Sequence, residues 1–323
     1  MNYWQSKIAI GSLSGPRFIG GPIDGYIDAP FRCLIHEFSP DALLYREIYH
    51  VAEVAKKDQG FHIMAGEHPI NVQLTAHNTD FIEKACEIVI ASGADAIDIN
   101  IGCPAPHIVK SGSGSSLMAD IPRLISIVKL FRHYVPLPLT VKMRAGFSIC
   151  NACEVAKIME DVGVDALVVH PRLQKQRFKG ELDYALVAEI KKEVSIPVIL
   201  SGGISSLQTA HDAYERTGVD GFLIGRALIG KPWLLKKLAE EVSGKLYEAT
   251  ESVKYNAMKK YIFYAMEYYD DAVLPFIKRQ CCWMLKGSVQ SGMARQAISA
   301  AKNIQEVEQI LATWYKESGW VDV

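Results

Sequence analysis

One cysteine, Cys103, stands between Gly102 and Pro104, shortly after the apolar run AIDI, where a buried strand is expected to end. A free thiol has a pKa of about 8.5, so at neutral pH it is mostly protonated and can donate a proton. A nucleophilic thiolate would need a neighbouring base, and an inert core cysteine is a third possibility. The flanking glycine and proline and the strand-end position favour a loop with a chemical role.

Other polar residues with possible chemical roles also follow apolar runs. They are Asp24, Gln73, Asn100, Lys142, Arg144, His170, Ser201 and Arg226. The ammonium of Lys142 could stabilise an anionic cofactor ring, such as that of a reduced flavin. The other interpretation of Lys142 is a lysine that keeps its head in water, and a lone strand-end histidine is as often structural as functional.

Three glycines near the last two apolar runs, Gly202, Gly203 and Gly225, indicate a phosphate site. Without a side chain, their backbone N–H groups allow a phosphate to approach closely. Arg226 would add a charge-assisted hydrogen bond. The alternative is that these glycines only form tight turns.

The elements that must position these residues follow from a repeated pattern. Short β-rich runs begin at Phe18, Ala42, Ile70, Ala96, Leu139, Ala166, Pro197 and Gly221, with amphipathic helical segments between most of them. An open doubly wound sheet would have the same local pattern, but a count of about eight favours an α/β fold of the (β/α)8 barrel type. In such a barrel, residues at the C-terminal ends of the strands converge on one face.

Two further segments flank the predicted barrel. KIAIGSLSGPRF predicts a hairpin that could plug the barrel floor, and after Val242 only helical patterns remain. We therefore predict a catalytic barrel over residues 1–242 and a smaller all-helical domain over residues 243–323. In that domain we expect helices broken at Pro275 and at GSVQSG, with a continuous helix from Ala297 to Tyr315.

Composition narrows the function classes. The 323 residues carry a net charge of -1, so contact with a polyanion would depend on a local basic patch. Seven irregularly spaced cysteines do not indicate a disulfide scaffold, and a lone CNAC pair argues against a metal site. No apolar run approaches the roughly 20 residues that span a bilayer, and MNYWQSK is not a secretory signal. We therefore predict a cytoplasmic protein.

Several motifs together resemble the tRNA-dihydrouridine synthase family over most of the chain. They are GPIDGYIDAPFR, NVQL, DINIGCPAPHIVKSGSGSSLM, VKMRAGF, VVHPR, SIPVILSGGI and DGFLIGRALIGKPW, in the family's order and at similar spacing. The resemblance implies an FMN-dependent barrel with a C-terminal helical domain that reduces particular uridines of tRNA to dihydrouridine at the expense of NADPH.

The resemblance also implies roles for individual positions. Pro22, Ile23 and Asp24 would border the flavin, Gln73 and Lys142 would bind its ring, and His170 would lie beside it. The phosphate end would be held by Ser201, Gly202, Gly203, Gly225 and Arg226. Reduced flavin would deliver hydride to carbon 6 of an extruded uracil while Cys103 protonates carbon 5. Asn100 and Arg144 could orient the base.

Two motifs depart from the family pattern. The usual Asn-Gly-Asp after strand 7 is Ser201, Gly202 and Gly203 here, which removes an amide and a carboxylate. The usual His-Gly-Arg-Thr is His170, Pro171, Arg172 and Leu173, which replaces a flexible residue by a rigid one.

Local basic patches make a tRNA partner compatible with the near-neutral total. Between Lys254 and Lys302 basic residues, Lys278 and Arg279 among them, outnumber the acidic ones, which are Glu267, Asp270 and Asp271. Lys175, Arg177 and Lys179 form a second cluster after the sixth strand. A charged face is often merely solvated, so both clusters stay candidates. No stable protein partner is implied.

Two other functions fit parts of the sequence. An FMN barrel oxidoreductase acting on a free small molecule would share the phosphate loops and Lys142 but would not need the basic helical domain. A relative that binds RNA and has lost redox function would be consistent with the changes at Ser201 and Gly203.

Overall fold

The computed structural model describes residues 3–56, 61–269 and 272–319. The chain forms two compact units, one of residues 1–22 and 41–225 and one of residues 23–40 and 226–323. Residues 23–40 and 226–242 thus belong to the unit that holds the C-terminal helices, whereas the sequence predicts the boundary between the two domains at residue 242. None of the described helices is long and apolar enough to cross a membrane.

The first unit contains the barrel strands. After the hairpin strands β1 (Ile8–Ile10) and β2 (Leu13–Gly15) come β3 (Phe18–Gly20), β4 (Leu44–Tyr45), β5 (Tyr49–His50), β6 (Ile70–Thr75), β7 (Ala96–Ile101), β8 (Leu139–Gly146), β9 (Ala166–Leu173), β10 (Val198–Ser201) and β11 (Gly221–Ile224). Strands β3, β4, β6, β7, β8, β9, β10 and β11 pair in that order, all parallel, and β11 pairs with β3 to close the barrel. The predicted eight-stranded barrel is confirmed. The two-residue strand β5 pairs with β6 further along the edge that β4 uses, so it continues β4 after a short interruption.

Helices alternate with the strands of this unit. They are α2 (Val51–Ala55), α3 (Ile82–Ala91), α4 (Pro106–Lys110), α5 (Ile121–Tyr134), α6 (Ala152–Asp161), α7 (Tyr184–Glu193) and α8 (Leu207–Thr217), numbered after α1 (Ala29–Phe38) of the second unit. Their apolar faces are buried; in α5, for example, Leu124, Ile127, Val128 and Phe131 are inaccessible to solvent. This spacing is the helical periodicity of the sequence, and burial of such a stripe accounts for most of a helix's stability in a protein.

The N-terminal hairpin is antiparallel, with Ile8 opposite Gly15. Ile8 and Ile10 belong to one buried cluster with side chains of five barrel strands, among them Tyr45 of β4 and Ile199 of β10. The predicted hairpin is confirmed, and its apolar side chains contribute to the packing inside the barrel.

The second unit is helical. Besides α1 it contains α9 (Leu234–Val242), α10 (Glu251–Tyr268), α11 (Leu274–Met284), α12 (Ser291–Ala300) and α13 (Ile304–Glu317). Asp28, the N-cap of α1, accepts hydrogen bonds from Tyr261 of α10 at 2.8 Å and from Tyr269 at 3.2 Å. Burial raises the pKa of this carboxyl group, and the bonds to Tyr261 and to the Phe31 backbone oppose the shift. Asp28 therefore joins α1 to α10.

The expected continuous helix from Ala297 to Tyr315 is wrong, because the chain leaves the helical conformation between α12 and α13. Asn303 caps α13 by accepting a hydrogen bond from the Glu306 backbone N–H at 2.8 Å. Glu306 in turn accepts from the backbone N–H of Lys302 at 2.7 Å. An asparagine followed three residues later by a glutamate is a helix-start signal that outweighs the apolar periodicity here.

Candidate active site

A chain of buried side-chain hydrogen bonds links β6, β7 and β8, from Thr140 near the start of β8 to Asn100 near the end of β7. Gln73 donates from Nε2 to Asp98 Oδ2 at 2.7 Å and accepts at Oε1 from Asn100 Nδ2 at 2.7 Å. Thr140 donates to Asp98 Oδ1 at 2.5 Å. A carboxylate only accepts hydrogen bonds, so Asp98 fixes which end of the Gln73 amide faces it, and Gln73 then fixes the orientation of the Asn100 amide.

This chain of bonds ends at the loop that carries Cys103. Asn100 Oδ1 accepts from the backbone N–H groups of Gly102 at 3.0 Å and of Cys103 at 2.8 Å. The Cys103 carbonyl accepts from the backbone N–H and the hydroxyl of Ser115. Gly114 has φ +59°, and a Cβ there would lie 2.8 Å from the Cys103 carbonyl oxygen. The GSGSS segment can therefore pack against Cys103 only with glycine at position 114, and the cysteine itself stays partly exposed.

Lys142 lies opposite Asn100 in the β7–β8 register. Burial lowers the pKa of its ammonium, the charge of Arg144 adds to this effect, and Asp98 and Cys103 oppose it. Within the described part of the chain, Lys142 Nζ has no hydrogen-bond or ion-pair partner. The site thus contains a partly buried cation that an anionic group could pair with.

His170 is held in a neutral form beside these cations. Burial lowers its pKa to about 2, and the charges of Lys142, Arg144 and Arg172 act in the same direction. Nδ1 donates to the Ser201 carbonyl oxygen at 2.9 Å, and Nε2 faces Nη1 of Arg172 at 3.4 Å. These contacts fix the tautomer with the proton on Nδ1.

Arg144, predicted to orient the substrate, donates to three backbone carbonyls. Nε binds the Gly102 oxygen at 2.8 Å, and Nη1 binds the oxygens of Leu173 at 3.2 Å and Arg177 at 2.9 Å. Burial lowers its pKa to about 10. Arg144 therefore fastens the Cys103 loop and the loop after β9 to the same strand end, and a direct contact with the base stays a prediction.

The two departures from the family pattern have structural counterparts. Gly202 and Gly203 have φ +114° and +78°, and a Cβ at Gly203 would lie 2.7 Å from Leu182. Leu182 thus occupies the space that a larger residue at position 203 would need. Pro171 lies two residues beyond Val169, the last residue of β9 that pairs with β10. On the other side of β9, Pro171 lies at the irregular register between β8 and β9. A regular strand pair would require a backbone N–H at this position, which proline lacks, and neither pairing requires one here.

The first unit brings together most of the predicted site. Its members are Gln73, Asn100, Cys103, Lys142, Arg144, His170, Ser201, Gly202 and Gly203, linked by the contacts above, with Pro22 and Gly225 at the ends of its two segments. The second unit contains Ile23 and Asp24, in the turn before α1, and Arg226, Lys278 and Arg279.

The predicted basic positions differ in their surroundings. Lys175 and Arg177 are exposed after β9. Lys278 donates to the Ala301 carbonyl at 2.9 Å, and Arg279 Nη2 lies 4.0 Å from Asp28. Asp270 and Asp271, two acidic residues of the predicted basic segment, lie outside the described residues.

The sequence interpretation missed Asp98 and Thr140. Asp98 is completely buried, and burial raises its pKa to about 6, although bonds from Thr140 and Gln73 oppose the shift. The available signal was a carboxylate inside the apolar run AIDI, since a charge in a buried strand needs partners.

Comparisons with known proteins agree with this geometry. Residues 19–318 match the family model described as dihydrouridine synthase. A probable tRNA-dihydrouridine synthase 1 from Synechocystis sp. is 30% identical over 316 residues, covering 95% of this chain and 89% of the relative. The tRNA-dihydrouridine synthase B of Pseudomonas aeruginosa is 34% identical over 240 residues, covering 72% of each chain.

A solved structure adds evidence on the fold alone. The old yellow enzyme homologue from Zymomonas mobilis superposes with a TM-score of 0.54 at 15% identity, covering 77% of this chain and 95% of that one. The extended family match, the closed barrel and the strand-end site lead to one conclusion: this chain belongs to the dihydrouridine synthase family, whose members are flavin-dependent oxidoreductases.

Proposed function

We propose that this protein reduces uridine in tRNA to 5,6-dihydrouridine, with FMN as its bound cofactor, NADPH as the reductant and Cys103 as the proton donor. The observation that carries the proposal is the setting of Cys103. Cys103 is partly exposed, its backbone is held by hydrogen bonds to Asn100 and Ser115, and it lies within electrostatic range of Lys142 and Arg144.

The residues of the first unit fit FMN. Lys142 supplies a partly buried ammonium without a protein partner in the described chain, and a negatively charged flavin ring would compensate its desolvation. A Cβ at Gly202 would lie 3.0 Å from the His170 ring, so glycine at this position leaves room for the imidazole. The backbone N–H groups of Gly202 and Gly203 would hold the phosphate. Gln73 uses one N–H of its amide on Asp98 and keeps a second N–H to donate to a ring acceptor.

Reduced FMN, when bound, supplies the hydride for carbon 6 of the uracil. Cys103 donates its proton to carbon 5 and is left as a thiolate, with the cations Lys142 and Arg144 within electrostatic range of it. Asn100 has one amide hydrogen left for the base, because the other binds Gln73. His170 stays neutral, so it adds no positive charge to those of Lys142 and Arg144.

Basic surfaces support tRNA as the substrate. In the second unit, a groove of about 640 Å³ beside α11 and α12 is lined by Lys278, Arg279, Lys286 and Arg295. In the first unit, the exposed cations Lys175 and Arg177 follow β9. Lysine and arginine side chains in such positions bind phosphates and release counterions, even on a protein whose total charge is near zero.

The decisive experiment is to map dihydrouridine in tRNA from cells that lack this protein and from the same cells carrying the wild-type gene or Cys103→Ala. We expect specific positions to lose dihydrouridine in the deletion strain and to recover it with the wild type only. Unchanged tRNA in the deletion strain would contradict the proposal. A purified protein that is colourless and does not bind added FMN would instead favour the alternative function, in which this protein binds RNA and has no redox activity.

A further inference from the structure

The loop of residues 174–180, called the rim loop from here on, directly follows β9 and has the sequence QKQRFKG. Lys175, Arg177 and Lys179 in this loop are exposed, and so is the aromatic ring of Phe178, with 58% of its surface accessible. The loop therefore presents one large apolar ring among three cations.

Hydrogen bonds of side-chain and backbone groups fasten the rim loop to the residues before it and to β8. Gln176 Oε1 accepts from the Leu173 backbone N–H at 2.7 Å, and Arg172 Nη2 donates to the Gly180 carbonyl at 2.7 Å. Arg144 donates to the Arg177 carbonyl at 2.9 Å. Arg177 has φ +48°, a conformation that costs energy for a residue with a Cβ and persists only where the surroundings impose it.

The strained conformation at Arg177 fixes the position of its neighbour, Phe178. The Phe178 ring centroid lies 6.5 Å from that of His170, with the two planes at 73°. The guanidinium carbon of Arg144 lies 5.7 Å from the same centroid. The exposed ring is thus held beside the candidate active site.

We propose that Phe178 is a stacking platform for a nucleobase of the bound RNA, with Lys175, Arg177 and Lys179 contacting the phosphates on either side of it. Exposed aromatic rings among cations bind single-stranded RNA in this manner, because every base has a face that stacks. This inference rests on the proposed function.

The geometry of that function also selects the nucleotide. One face of the target uracil must meet the flavin and the other must meet Cys103, so neither face is left for Phe178. The base on Phe178 is therefore one that flanks the target uridine. Stacking there replaces contacts that the flanking base loses when the uridine is extruded.

The test compares Phe178→Ala, Phe178→Trp and the control Tyr134→Ala in the full-length flavin-loaded protein. Tyr134 is an aromatic residue at the C-terminal end of α5, just before β8 begins, and so lies at the end of the barrel opposite the strand ends that carry the site. The probe is an unmodified tRNA transcript, and the readout is its Kd by filter binding. We expect Phe178→Ala to raise the Kd about 5- to 150-fold. We expect the Trp variant to bind nearly as tightly as the wild type and Tyr134→Ala to leave the Kd unchanged.

Salt dependence separates stacking from a phosphate contact. The rise in Kd for Phe178→Ala should be similar at low and high salt, since no charge is removed, whereas the effect of Lys175→Ala should shrink as salt increases. A wild-type Kd for Phe178→Ala, or an equal rise in Tyr134→Ala, would overturn the proposal.

Two further results have distinct meanings. A slower reduction of flavin by NADPH in Phe178→Ala without RNA would overturn the stacking proposal, because it would show that the ring serves the nicotinamide instead. A wild-type protein that forms no dihydrouridine in the transcript would contradict the proposed function. Dihydrouridine formation with an unchanged Kd for Phe178→Ala would contradict the stacking role alone.

Discussion

The buried bonds beneath Cys103 and the exposed rim loop serve different purposes beside β7 and β9, the two strands that flank β8. Beneath Cys103, the polar groups of Gln73, Asp98 and Asn100 bond mainly to one another or to backbone. In the rim loop, the bonds involve mainly the backbone, and the side chains of Lys175 and Phe178 are exposed. Side chains that are bonded to one another fix the position of a reacting atom. Exposed side chains on a firmly held backbone can instead bind a large flexible substrate.

The largest expected effect comes from the thiol itself. Cys103→Ala should lower the rate of dihydrouridine formation about 10²- to 10⁴-fold, the usual contribution of a positioned proton donor. Reduction of flavin by NADPH does not use that proton and should continue, which stopped-flow absorbance would show. The exposed Cys150 provides the control, and Cys150→Ala should keep full turnover. Equal turnover on tRNA by Cys103→Ala and the wild type would refute the assigned role.

Removing the carboxylate beneath the loop should destabilise the fold. Asp98→Ala leaves a buried donor on Gln73 and another on Thr140 without an acceptor, so we expect the free energy of unfolding to fall by about 2 to 5 kcal/mol. Urea unfolding measures this change. Asp80→Ala, which removes an exposed carboxylate bonded to Asn78, should change it by less than about 0.5 kcal/mol. Similar losses in both variants would show that the buried bonds add no stability.

The same carboxyl group predicts a pH dependence. Burial raises the pKa of Asp98 to about 6 from an ordinary 3.8, so between these values the folded protein binds a proton that the unfolded chain releases. The contribution of Asp98 to stability should therefore fall as the pH rises from about 4 to about 6, by at most about 1.4 kcal/mol per pH unit, and stay constant above that range.

Asp98→Asn provides the reference, since it has nearly the same shape but does not titrate. The free energy of unfolding should be measured in urea for the wild type and for Asp98→Asn from about pH 4 to about pH 8. The difference between the two proteins should fall between about pH 4 and about pH 6 and stay constant above. A difference that does not vary with pH would show that the carboxyl group has an ordinary pKa.

The smallest effect is expected in the rim loop. Lys175→Ala should raise the Kd for tRNA roughly fivefold and reduce the slope of log Kd against log salt by about one, as for the loss of one phosphate contact. Lys192→Ala removes an exposed lysine from the C-terminal end of α7 and should leave both quantities unchanged. An unchanged salt slope for Lys175→Ala would show that Lys175 does not contact phosphate.

Local patterns in the sequence predicted the barrel because its strands are short, apolar and regularly spaced. The Cys103 loop was predicted for a similar reason, since its glycines and prolines lie within one segment. The break between α12 and α13 was missed because apolar residues continue at helical spacing through it, although Asn303 and Glu306 carry the capping signal. Asp98 was missed because its importance depends on partners 25 and 42 residues away.

The sequence by itself determined the order and type of the elements and the residue types at the strand ends, because periodicity and turn chemistry act over a few neighbouring residues. Only the tertiary structure decided which of those side chains share hydrogen bonds, that Arg144 binds backbone carbonyls of two loops, and that Phe178 lies beside His170. Those contacts depend on the register of strands far apart in the chain and on burial, which shifts pKa values and fixes hydrogen-bond direction. Neither the strand register nor the burial of a side chain can be read from residues adjacent in sequence.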